Sequence, residues 1–338
     1  MEYRPLGRTG VQVSPLCLGA MMFGPWGNND TADSIRIIHR ALDAGINFID
    51  TADVYSGGAS EEIVGQALDG RRDDVFLATK FFMPMNEEPN QRGGSRRWII
   101  REVENSLRRL NTDYIDIYQV HRPSPDTDVE ETLGALTDLV RQGEVRYIGS
   151  SSYSGSQIVE AQWASRERNL ERFVTEQPPY SILVRSIEED ILPTVQRHGI
   201  GTLTYSPLSG GWLSGRWRKD SASTPTSSAR PNARFDMSSP ANQRKLDLVE
   251  ELAQLAEQNG LTLIELAIAF VINHPGVTAA IVGPRTMEQL ESYLPAADIT
   301  LSTDVLDRID QLVAPGVTVN PEDNSYGAHE LTPLARRR

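Results

Sequence analysis

Short apolar segments alternate with segments of helical periodicity along most of this chain, and the pair recurs about every 30 residues, the length of one strand–helix unit. The first helical stretch carries Ile35, Ile38 and Leu42 at helical spacing and stops before Gly45, a residue typical of a helix C-terminus. Strands that alternate with helices predict a parallel sheet. The strand-like segments carry few charges except at their ends, as expected when helices cover both faces. The sequence therefore predicts an α/β fold.

The number of these units selects one form of the sheet. We expect a single (β/α)8 TIM barrel, forming one domain over residues 1–338, with an N-terminal β-hairpin and two extra helices. A doubly wound sheet is the alternative, but the Gly-x-Gly-x-x-Gly turn expected after its first strand is absent. The predicted barrel strands cover residues 15–18, 46–50, 75–80, 114–121, 145–149, 172–177, 200–205 and 279–282, and the predicted helices cover residues 31–44, 60–68, 97–110, 129–142, 155–166, 187–198, 242–259, 262–273, 286–293 and 303–312.

Two regions interrupt the pattern. Residues 206–240 are rich in Gly, Ser, Arg and Pro and hold few periodic apolar positions, so we expect this long stretch to be functional or disordered. The tail that follows residue 315 is expected to be flexible.

Charge and cysteine content narrow the classes of function. The net charge of −13 argues against general binding of nucleic acid, and it means that an anionic cofactor needs a local basic site. Cys17 is the single cysteine, so no intrachain disulfide can form, and a cytoplasmic location is expected. No apolar run reaches the ~18 residues of a membrane span, and no hydrophobic signal segment is visible at the N-terminus, so neither a membrane partner nor secretion is predicted.

Three consecutive predicted strands end on polar side chains of complementary chemistry. They end at Asp50, Lys80 and His121, and Tyr55 follows the first of them in the next loop. In a (β/α)8 barrel the carboxyl ends of the strands meet at one rim, where chemistry takes place, so these side chains should converge. Each has an ordinary alternative: a helix cap for the aspartate, a solvated edge for the lysine, a structural role for the histidine and packing for the tyrosine. Their joint occurrence at successive strand ends favours a catalytic group.

The segment INFIDTADVYSGGASEEIVG resembles the part of the aldo-keto reductase family that carries an aspartate, a tyrosine and a Gly-Gly-x-Ser-Glu helix start. Later segments are similar to the family in order and spacing: FLATKF, LNTDYIDIYQVHRP, VRYIGSSSYS, TEQPPYS, TYSPLSGGWLSGRW and IVGPRTMEQLE. The resemblance extends from residue 3 to residue 312, and it is closer to bacterial members and the potassium-channel β-subunit-like branch than to the aldose reductase branch. It implies an NADP(H)-dependent reduction of aldehyde or ketone carbonyls to alcohols.

The resemblance also implies a role for each residue of the group. Tyr55 would be the general acid that protonates the carbonyl oxygen. Lys80 would lower the pKa of Tyr55 by stabilising the phenolate, and Asp50 would keep Lys80 charged and oriented. His121 would form a hydrogen bond to the carbonyl oxygen. The hydride would come from the nicotinamide.

The remaining strand ends match the family's cofactor site. The resemblance implies NADPH, with NADH as an alternative, because Arg285 can form two parallel bonds to a 2′-phosphate. Three positions depart from the family pattern: Tyr293 replaces a usual Asn, Met21 replaces a common aromatic, and Ser152 replaces a frequent Asn or Arg. The residues predicted to bind the cofactor are Gly19, Ala20, Met21, Asp50, Ser151, Ser152, Gln177, Tyr205, Ser206, Pro207, Leu208, Ser209, Gly210, Arg216, Gly283, Arg285, Gln289 and Tyr293.

Other functions compete with carbonyl reduction. A cofactor-sensing regulatory subunit with little turnover is the main alternative, and a barrel enzyme that uses Lys80 as a Schiff base is a weaker one. No HExxH or paired histidine spacing indicates a metal site. The substrate is expected to be a small carbonyl compound, and the oligomeric state stays open. Several aromatic and apolar side chains could line the substrate pocket or could pack in the core instead: Trp26, Phe82, Met83, Trp212 and Trp217.

Overall fold

In the computed structural model, which describes residues 1–219, residues 233–324 and Arg336, eight parallel strands close into a barrel. Each strand pairs with the next one along the chain, and the last strand pairs with the first, so the predicted TIM-type barrel is confirmed. Two short strands before the barrel, β1 (Arg4–Pro5) and β2 (Gln12–Val13), form the predicted antiparallel hairpin. The barrel strands are β3 (Leu16–Gly19), β4 (Phe48–Asp50), β5 (Phe76–Phe81), β6 (Ile115–Val120), β7 (Val145–Ser151), β8 (Phe173–Gln177), β9 (Gly201–Thr204) and β10 (Ala279–Val282).

Ten α-helices occur within the described residues, two more than the eight that a minimal barrel requires. Side-chain caps begin several of them: Asp30, Ser154 and Thr262 each accept a hydrogen bond from the third residue of the helix that follows. The helices are α1 (Thr31–Asp43), α2 (Ala59–Ala67), α3 (Arg96–Leu110), α4 (Val129–Gln142), α5 (Gly155–Arg168), α6 (Ile191–His198), α7 (Pro240–Gln258), α8 (Leu263–Asn273), α9 (Met287–Tyr293) and α10 (Thr303–Leu312).

Two apolar layers hold the barrel together. The larger layer lies between the strands and the surrounding helices. The smaller layer fills the barrel interior with side chains such as Cys17, Phe48 and Ile117, and Leu6 and Val13 of the hairpin region join it. The hairpin therefore closes the end of the barrel at which the strands begin, and the carboxyl ends of the strands form the accessible rim.

One predicted helix is interrupted in the structure, and several predicted element boundaries differ by one or two residues. The helix predicted over residues 187–198 is interrupted, because Asp190 has a non-helical backbone (φ −129°, ψ −59°) and its side chain accepts a hydrogen bond from the backbone nitrogen of Gly155 at 2.8 Å. A short 3₁₀ turn, Ser186–Glu188, precedes the break. The strand predicted to reach Tyr205 ends at Thr204. Residues 220–232, 325–335 and 337–338 lie outside the described residues, so the predictions about the 206–240 stretch and the tail stay untested there.

No single helix of the described chain is long and apolar enough to cross a membrane. The pair α7 and α8 passes that test only when both helices are counted together, and they are bent by 91° to each other.

Candidate active site

Asp50, Tyr55 and Lys80 meet at the rim of the barrel through direct contacts. The ammonium group of Lys80, the last residue but one of β5, donates to Asp50 Oδ1 at 2.6 Å and to the carbonyl oxygen of Thr51 at 2.8 Å. Its third contact is Tyr55 Oη at 3.3 Å. Asp50 and Lys80 are both buried. The structure therefore brings together three of the four residues that the sequence predicts to act.

Two amide side chains complete the environment of the Asp50 carboxylate. Gln177 Nε2 donates to Asp50 Oδ2 at 2.8 Å, and Gln119 Nε2 donates to the same oxygen at 3.1 Å. A buried ion pair stabilises a fold only when its remaining hydrogen-bonding capacity is also satisfied. Here one carboxylate oxygen is bonded to the ammonium and the other to two amides, so the charge of Lys80 is fixed in place.

Burial dominates the acidity of the Tyr55 phenol. It raises the pKa of Tyr55, and although the Lys80 ammonium acts in the opposite direction, the net pKa lies above its ordinary value. The effect of Lys80 thus has the predicted direction, and desolvation, which the sequence does not show, decides the net pKa. The pKa of Lys80 is reduced by burial, but the Asp50 carboxylate and the Tyr55 phenol outweigh this effect and raise it. At neutral pH the site thus holds a protonated phenol next to an ammonium.

His121 stands beside the phenol at the end of β6. The Tyr55 and His121 rings lie edge to face, with centroids 5.8 Å apart. Burial, together with the positive charges of Lys80 and Arg122, holds the pKa of His121 well below its ordinary value. The imidazole is therefore neutral at physiological pH. Its Nδ1 atom is buried and has no hydrogen-bond partner among the described residues.

The side chains predicted to hold a nicotinamide carboxamide lie on β7 and β8, next to this group. Ser151 is opposite Gln177 in the sheet, and its hydroxyl donates to the Gln177 carbonyl oxygen at 2.8 Å. The side-chain nitrogen of Gln177 donates to Asp50 and lies 3.4 Å from Gln119 Oε1. The side-chain oxygen of Gln177 is therefore the atom that can accept a hydrogen bond from a ligand. The hydroxyl of Ser152, just beyond the end of β7, accepts a hydrogen bond from Arg122 at 2.8 Å.

The turn after β9 has an unusual backbone. Ser206 and Ser209 have φ values of 59° and 50°, a left-handed conformation that residues other than glycine rarely adopt and that often occurs at functional sites. The hydroxyls of Tyr205 and Ser209 are buried and have no partner among the described residues. Pro207 is buried, Leu208 is half-buried and Gly210 is exposed.

Basic side chains gather where β10 ends and α9 begins. Arg216 and Arg285 both lie close enough to Tyr293 to oppose the rise that burial causes in its pKa. Gln289 Oε1 accepts from the backbone nitrogen of Arg285 at 2.8 Å, and the Arg285 carbonyl oxygen accepts from Asn28 at 3.0 Å, so this segment is held at both ends. The other predicted positions here are at or just beyond the ends of β3 and β10, where Gly19 and Ala20 are buried and Met21 and Gly283 are exposed.

The candidate pocket residues separate into two groups. Trp26 is 53% exposed, and its ring centroid lies 6.2 Å from that of Tyr55, while Phe82 and Met83 are half-buried. Trp212 and Trp217 are buried instead and stack on each other with centroids 4.0 Å apart. Core packing is thus the correct alternative for this second pair.

Sequence reasoning missed several residues at the rim. Gln119 lies two residues before His121 on the same strand, so its inward direction follows from strand alternation and offered a usable signal. Arg122 and Glu176 offered none. The contact of Arg122 with Ser152 depends on the pairing of β6 with β7, and the contact of Glu176 with Ser150 depends on the pairing of β7 with β8. No group of three or more His, Cys, Asp or Glu side chains within the described residues could hold a metal ion.

A barrel with a tyrosine, a lysine and an aspartate joined at its rim, next to a histidine, belongs to the class of (β/α)8 enzymes that act at the ends of their strands. The family model described as "Aldo/keto reductase family" matches residues 15–314. The chain therefore belongs to the aldo/keto reductase family, as its sequence predicted.

Three relatives illustrate the range of that family. The chain is 41% identical over 317 residues to "Uncharacterized oxidoreductase YrpG" of Bacillus subtilis (strain 168), which covers 90% of this chain and 94% of that protein. It is 36% identical over 327 residues to "Probable voltage-gated potassium channel subunit beta" of Arabidopsis thaliana, and this alignment covers 93% of this chain and 97% of that protein. It is 37% identical over 309 residues to "Aldo-keto reductase YhdN" of Bacillus subtilis (strain 168), with 90% and 91% covered. Family membership and the two bacterial relatives support an oxidoreductase.

Proposed function

We propose that this protein is an NADP(H)-dependent oxidoreductase that reduces the carbonyl group of aldehydes or ketones to an alcohol. The observation that carries the proposal is the position of the Tyr55 hydroxyl, 3.3 Å from the buried Lys80 ammonium, whose charge the Asp50 carboxylate stabilises at 2.6 Å. This arrangement allows the Tyr55 phenol to donate its proton, because the Lys80 ammonium stabilises the phenolate that remains.

The proton chemistry follows from these contacts. Tyr55 is protonated at neutral pH because burial raises its pKa, and it donates its proton to the carbonyl oxygen of the substrate. The phenolate that remains is stabilised by the adjacent ammonium of Lys80, which itself stays charged because its pKa is raised. The neutral His121 imidazole can form a hydrogen bond to the same carbonyl oxygen without adding a charge. A bound nicotinamide supplies the hydride that the carbonyl carbon receives.

The second half of the rim suits a dinucleotide. Buried hydroxyls at Tyr205 and Ser209 have no partner among the described residues, which is costly unless a ligand satisfies them. The left-handed turn from Ser206 to Ser209 presents backbone groups in the manner of phosphate-binding turns. Arg216 and Arg285 add the local positive charge that an anion needs on a protein of net charge −13. Arg285 is the residue that we propose for the 2′-phosphate, and it favours NADPH over NADH.

The mouth of the site favours substrates with an apolar side. Met21 is 44% exposed and Trp26 is 53% exposed, and the Trp26 ring lies next to Tyr55. Exposed apolar side chains grouped beside polar reactive groups are typical of small-molecule sites. We therefore propose a small carbonyl compound with an apolar or aromatic group as the substrate.

We further propose that residues 1–338 form one domain and that the protein acts in the cytoplasm. The closure of the barrel between β10 and β3 supports the single domain. So does Arg185, which joins the segment after β8 to Asp310 at 2.7 Å and to the Val313 carbonyl oxygen at 2.6 Å. A single buried cysteine supports a reducing compartment.

A cofactor-sensing regulatory subunit is the second candidate. The relatives named as probable potassium channel β subunits, in Arabidopsis thaliana and Oryza sativa subsp. japonica, are similar along 93% of this chain. In that role the same site would bind the dinucleotide, and turnover would be slow.

A screen of cofactor oxidation distinguishes the two. NADPH and NADH are each incubated with the purified protein and with aldehydes, ketones and sugars. Oxidation of the cofactor is followed as the loss of the absorbance of its reduced nicotinamide. Reduction of at least one aldehyde or ketone, with a lower KM for NADPH than for NADH, is the expected result. Tight NADPH binding without turnover of any compound would favour the regulatory subunit, and no binding of either dinucleotide would exclude both functions.

A further inference from the structure

Glu176 is a buried carboxyl group directly behind the proposed nicotinamide site. It precedes Gln177 at the end of β8, and since neighbouring residues of a strand point to opposite faces, Glu176 points away from the barrel interior in which Gln177 contacts Asp50. None of its surface is exposed. A carboxyl group at such a position requires hydrogen-bond partners, because an unsatisfied one is costly.

All of its partners belong to the end of β7 and the turn that follows. Glu176 Oε2 accepts from the hydroxyl of Ser150 at 2.5 Å, and Glu176 Oε1 accepts from the backbone nitrogen of Tyr153 at 3.1 Å. The backbone N–H of Ser152 also interacts with the carboxyl group. One side chain thus binds three successive points along residues 150–153.

The turn that Glu176 binds has a conformation that needs support. Ser152 has a φ of 64°, which is unfavourable for a residue with a side chain. Its hydroxyl accepts from Arg122 at 2.8 Å, and the same guanidinium nitrogen donates to the His121 carbonyl oxygen at 2.8 Å. The shape of this turn therefore sets the position of Ser151 and Ser152 and of a cationic side chain close to His121.

We propose that Glu176 is a positioning residue, which holds the 150–153 turn in the shape that binds the nicotinamide end of the cofactor. The proposal rests on the function proposed above, because it concerns the same dinucleotide site. Glu176 acts through the turn and contacts neither cofactor nor substrate.

Glu176 supports the turn through its hydrogen bonds and not through its charge. Burial raises the pKa of Glu176 to about 8, while the hydrogen bonds from Ser150, Tyr153 and Ser152 and the charge of Arg122 oppose the rise. The carboxyl group is therefore mostly protonated at pH 7. A glutamine has the same shape and can replace the protonated carboxyl group: its oxygen accepts from the two backbone N–H groups, and its nitrogen donates to the Ser150 hydroxyl, as a protonated Oε2 can. The hydrogen of that hydroxyl then bonds to the Thr175 carbonyl oxygen, 3.4 Å away. An alanine at this position leaves the Tyr153 N–H without its partner and removes the short bond to the Ser150 hydroxyl.

Binding of two ligands to three proteins tests the proposal. Dissociation constants for NADPH and for adenosine 2′,5′-bisphosphate, which lacks the nicotinamide, are measured by fluorescence titration on wild type, Glu176→Ala and Glu176→Gln. For Glu176→Ala we expect NADPH to bind ~10-fold more weakly, the effect of losing about one well-made hydrogen bond in the site. The bisphosphate should bind all three proteins equally, and Glu176→Gln should bind NADPH as wild type does.

Each other outcome overturns a defined part of the account. Three results would each overturn the positioning role. Glu176→Ala could bind NADPH as tightly as wild type does, or it could bind NADPH and the bisphosphate with equally reduced affinity. Glu176→Gln could bind NADPH as weakly as the alanine variant does. Wild-type protein that binds no NADPH would overturn the proposed cofactor together with it. If circular dichroism shows that Glu176→Ala does not fold, Ser150→Ala replaces it. That variant removes one of the partners and should weaken NADPH binding about threefold without affecting the bisphosphate, whereas unchanged NADPH binding would overturn the role.

Discussion

The two halves of the barrel rim differ in how their polar groups are satisfied. In the first half, direct bonds of 2.6 to 3.3 Å join Lys80 Nζ, both oxygens of Asp50 and the Tyr55 hydroxyl, and they also include Gln119. The exception in this half is His121 Nδ1, which is buried without a partner among the described residues. In the second half, buried hydroxyls at Tyr205 and Ser209 have no partner among the described residues. Left-handed serines occur in both halves, at 56 in the first and at 152, 206 and 209 in the second, so the contrast lies in the hydrogen bonds and not in the backbone.

This difference fits the two roles that we propose, proton transfer in the first half and cofactor binding in the second. A group that moves a proton acts best when its geometry and charge are fixed before the substrate arrives, because reorganisation then costs nothing during the reaction. A group that holds a ligand must keep hydrogen-bonding capacity for that ligand. We therefore expect substitutions in the first half to reduce turnover and substitutions in the second half to reduce cofactor affinity.

Replacement of Tyr55 by phenylalanine should produce the largest effect. The variant lacks the proton donor but keeps the ring beside Trp26 and His121. Since general acid catalysis typically contributes ~10²–10⁴-fold, kcat for carbonyl reduction should fall by about that factor. Steady-state kinetics measure it. Tyr114→Phe is the matched control, because Tyr114 precedes β6 at the opposite end of the barrel, and it should retain full activity.

Replacement of Lys80 by methionine should reduce both turnover and stability. It leaves the Asp50 carboxylate buried without its cation, and breaking a buried ion pair in this way costs about 3 kcal/mol or more of the free energy of unfolding. Urea denaturation measures the loss. The double variant Asp50→Asn/Lys80→Met should recover part of the stability and none of the turnover. If the single variant is as stable as wild type, the two charges are not coupled as described.

Replacement of Arg285 by alanine should separate the two cofactors. A charge-assisted bond to the 2′-phosphate is worth ~1.5–3 kcal/mol, so the KM for NADPH should rise about tenfold or more, and the KM for NADH should hardly change. Arg141→Ala, in the last turn of α4, is the control and should alter neither KM. An equal rise of both KM values would mean that Arg285 does not discriminate the 2′-phosphate.

Glu176 should give the smallest effect, a dependence of stability on pH. Its folded pKa of about 8 lies above the ordinary value of 4.5, so the stability that its protonated form contributes is complete below the ordinary pKa and is lost as pH rises through the folded one. Between pH 6 and pH 7, wild type should therefore lose about 1 kcal/mol of unfolding free energy relative to Glu176→Gln. Parallel denaturation curves at the two pH values make the comparison, and a constant difference would show that Glu176 is already ionised.

The sequence was sufficient for the part of the site that local motifs define. Asp50, Lys80 and His121 end successive strands, and the geometry of a barrel brings such ends together whatever the remaining contacts are. The strands and most helices could likewise be predicted from the sequence, because apolar periodicity is a local pattern. Even the inward direction of Gln119 follows from its spacing to His121.

The rest depends on contacts between distant segments. The bond from Gln177 to Asp50 joins positions 127 residues apart, and the support that Glu176 gives to the 150–153 turn depends on the register of β7 and β8. The buried pair of Lys245 and Asp323, 2.7 Å apart, likewise joins α7 to the chain after α10. The net pKa of Tyr55 also depends on such contacts: Lys80 lowers it, as predicted, but burial, which a sequence does not reveal, outweighs that charge and raises it.

The most direct test of the division between the halves is the dissociation constant of NADPH for the Tyr55→Phe protein, measured by fluorescence titration beside wild type. The account predicts a value within about twofold of wild type, since the variant alters the half of the rim that we propose for proton transfer and leaves Ser151, Ser209 and Arg285 in place. A loss of NADPH affinity comparable to the loss of turnover would contradict it, because the two halves would then act as one.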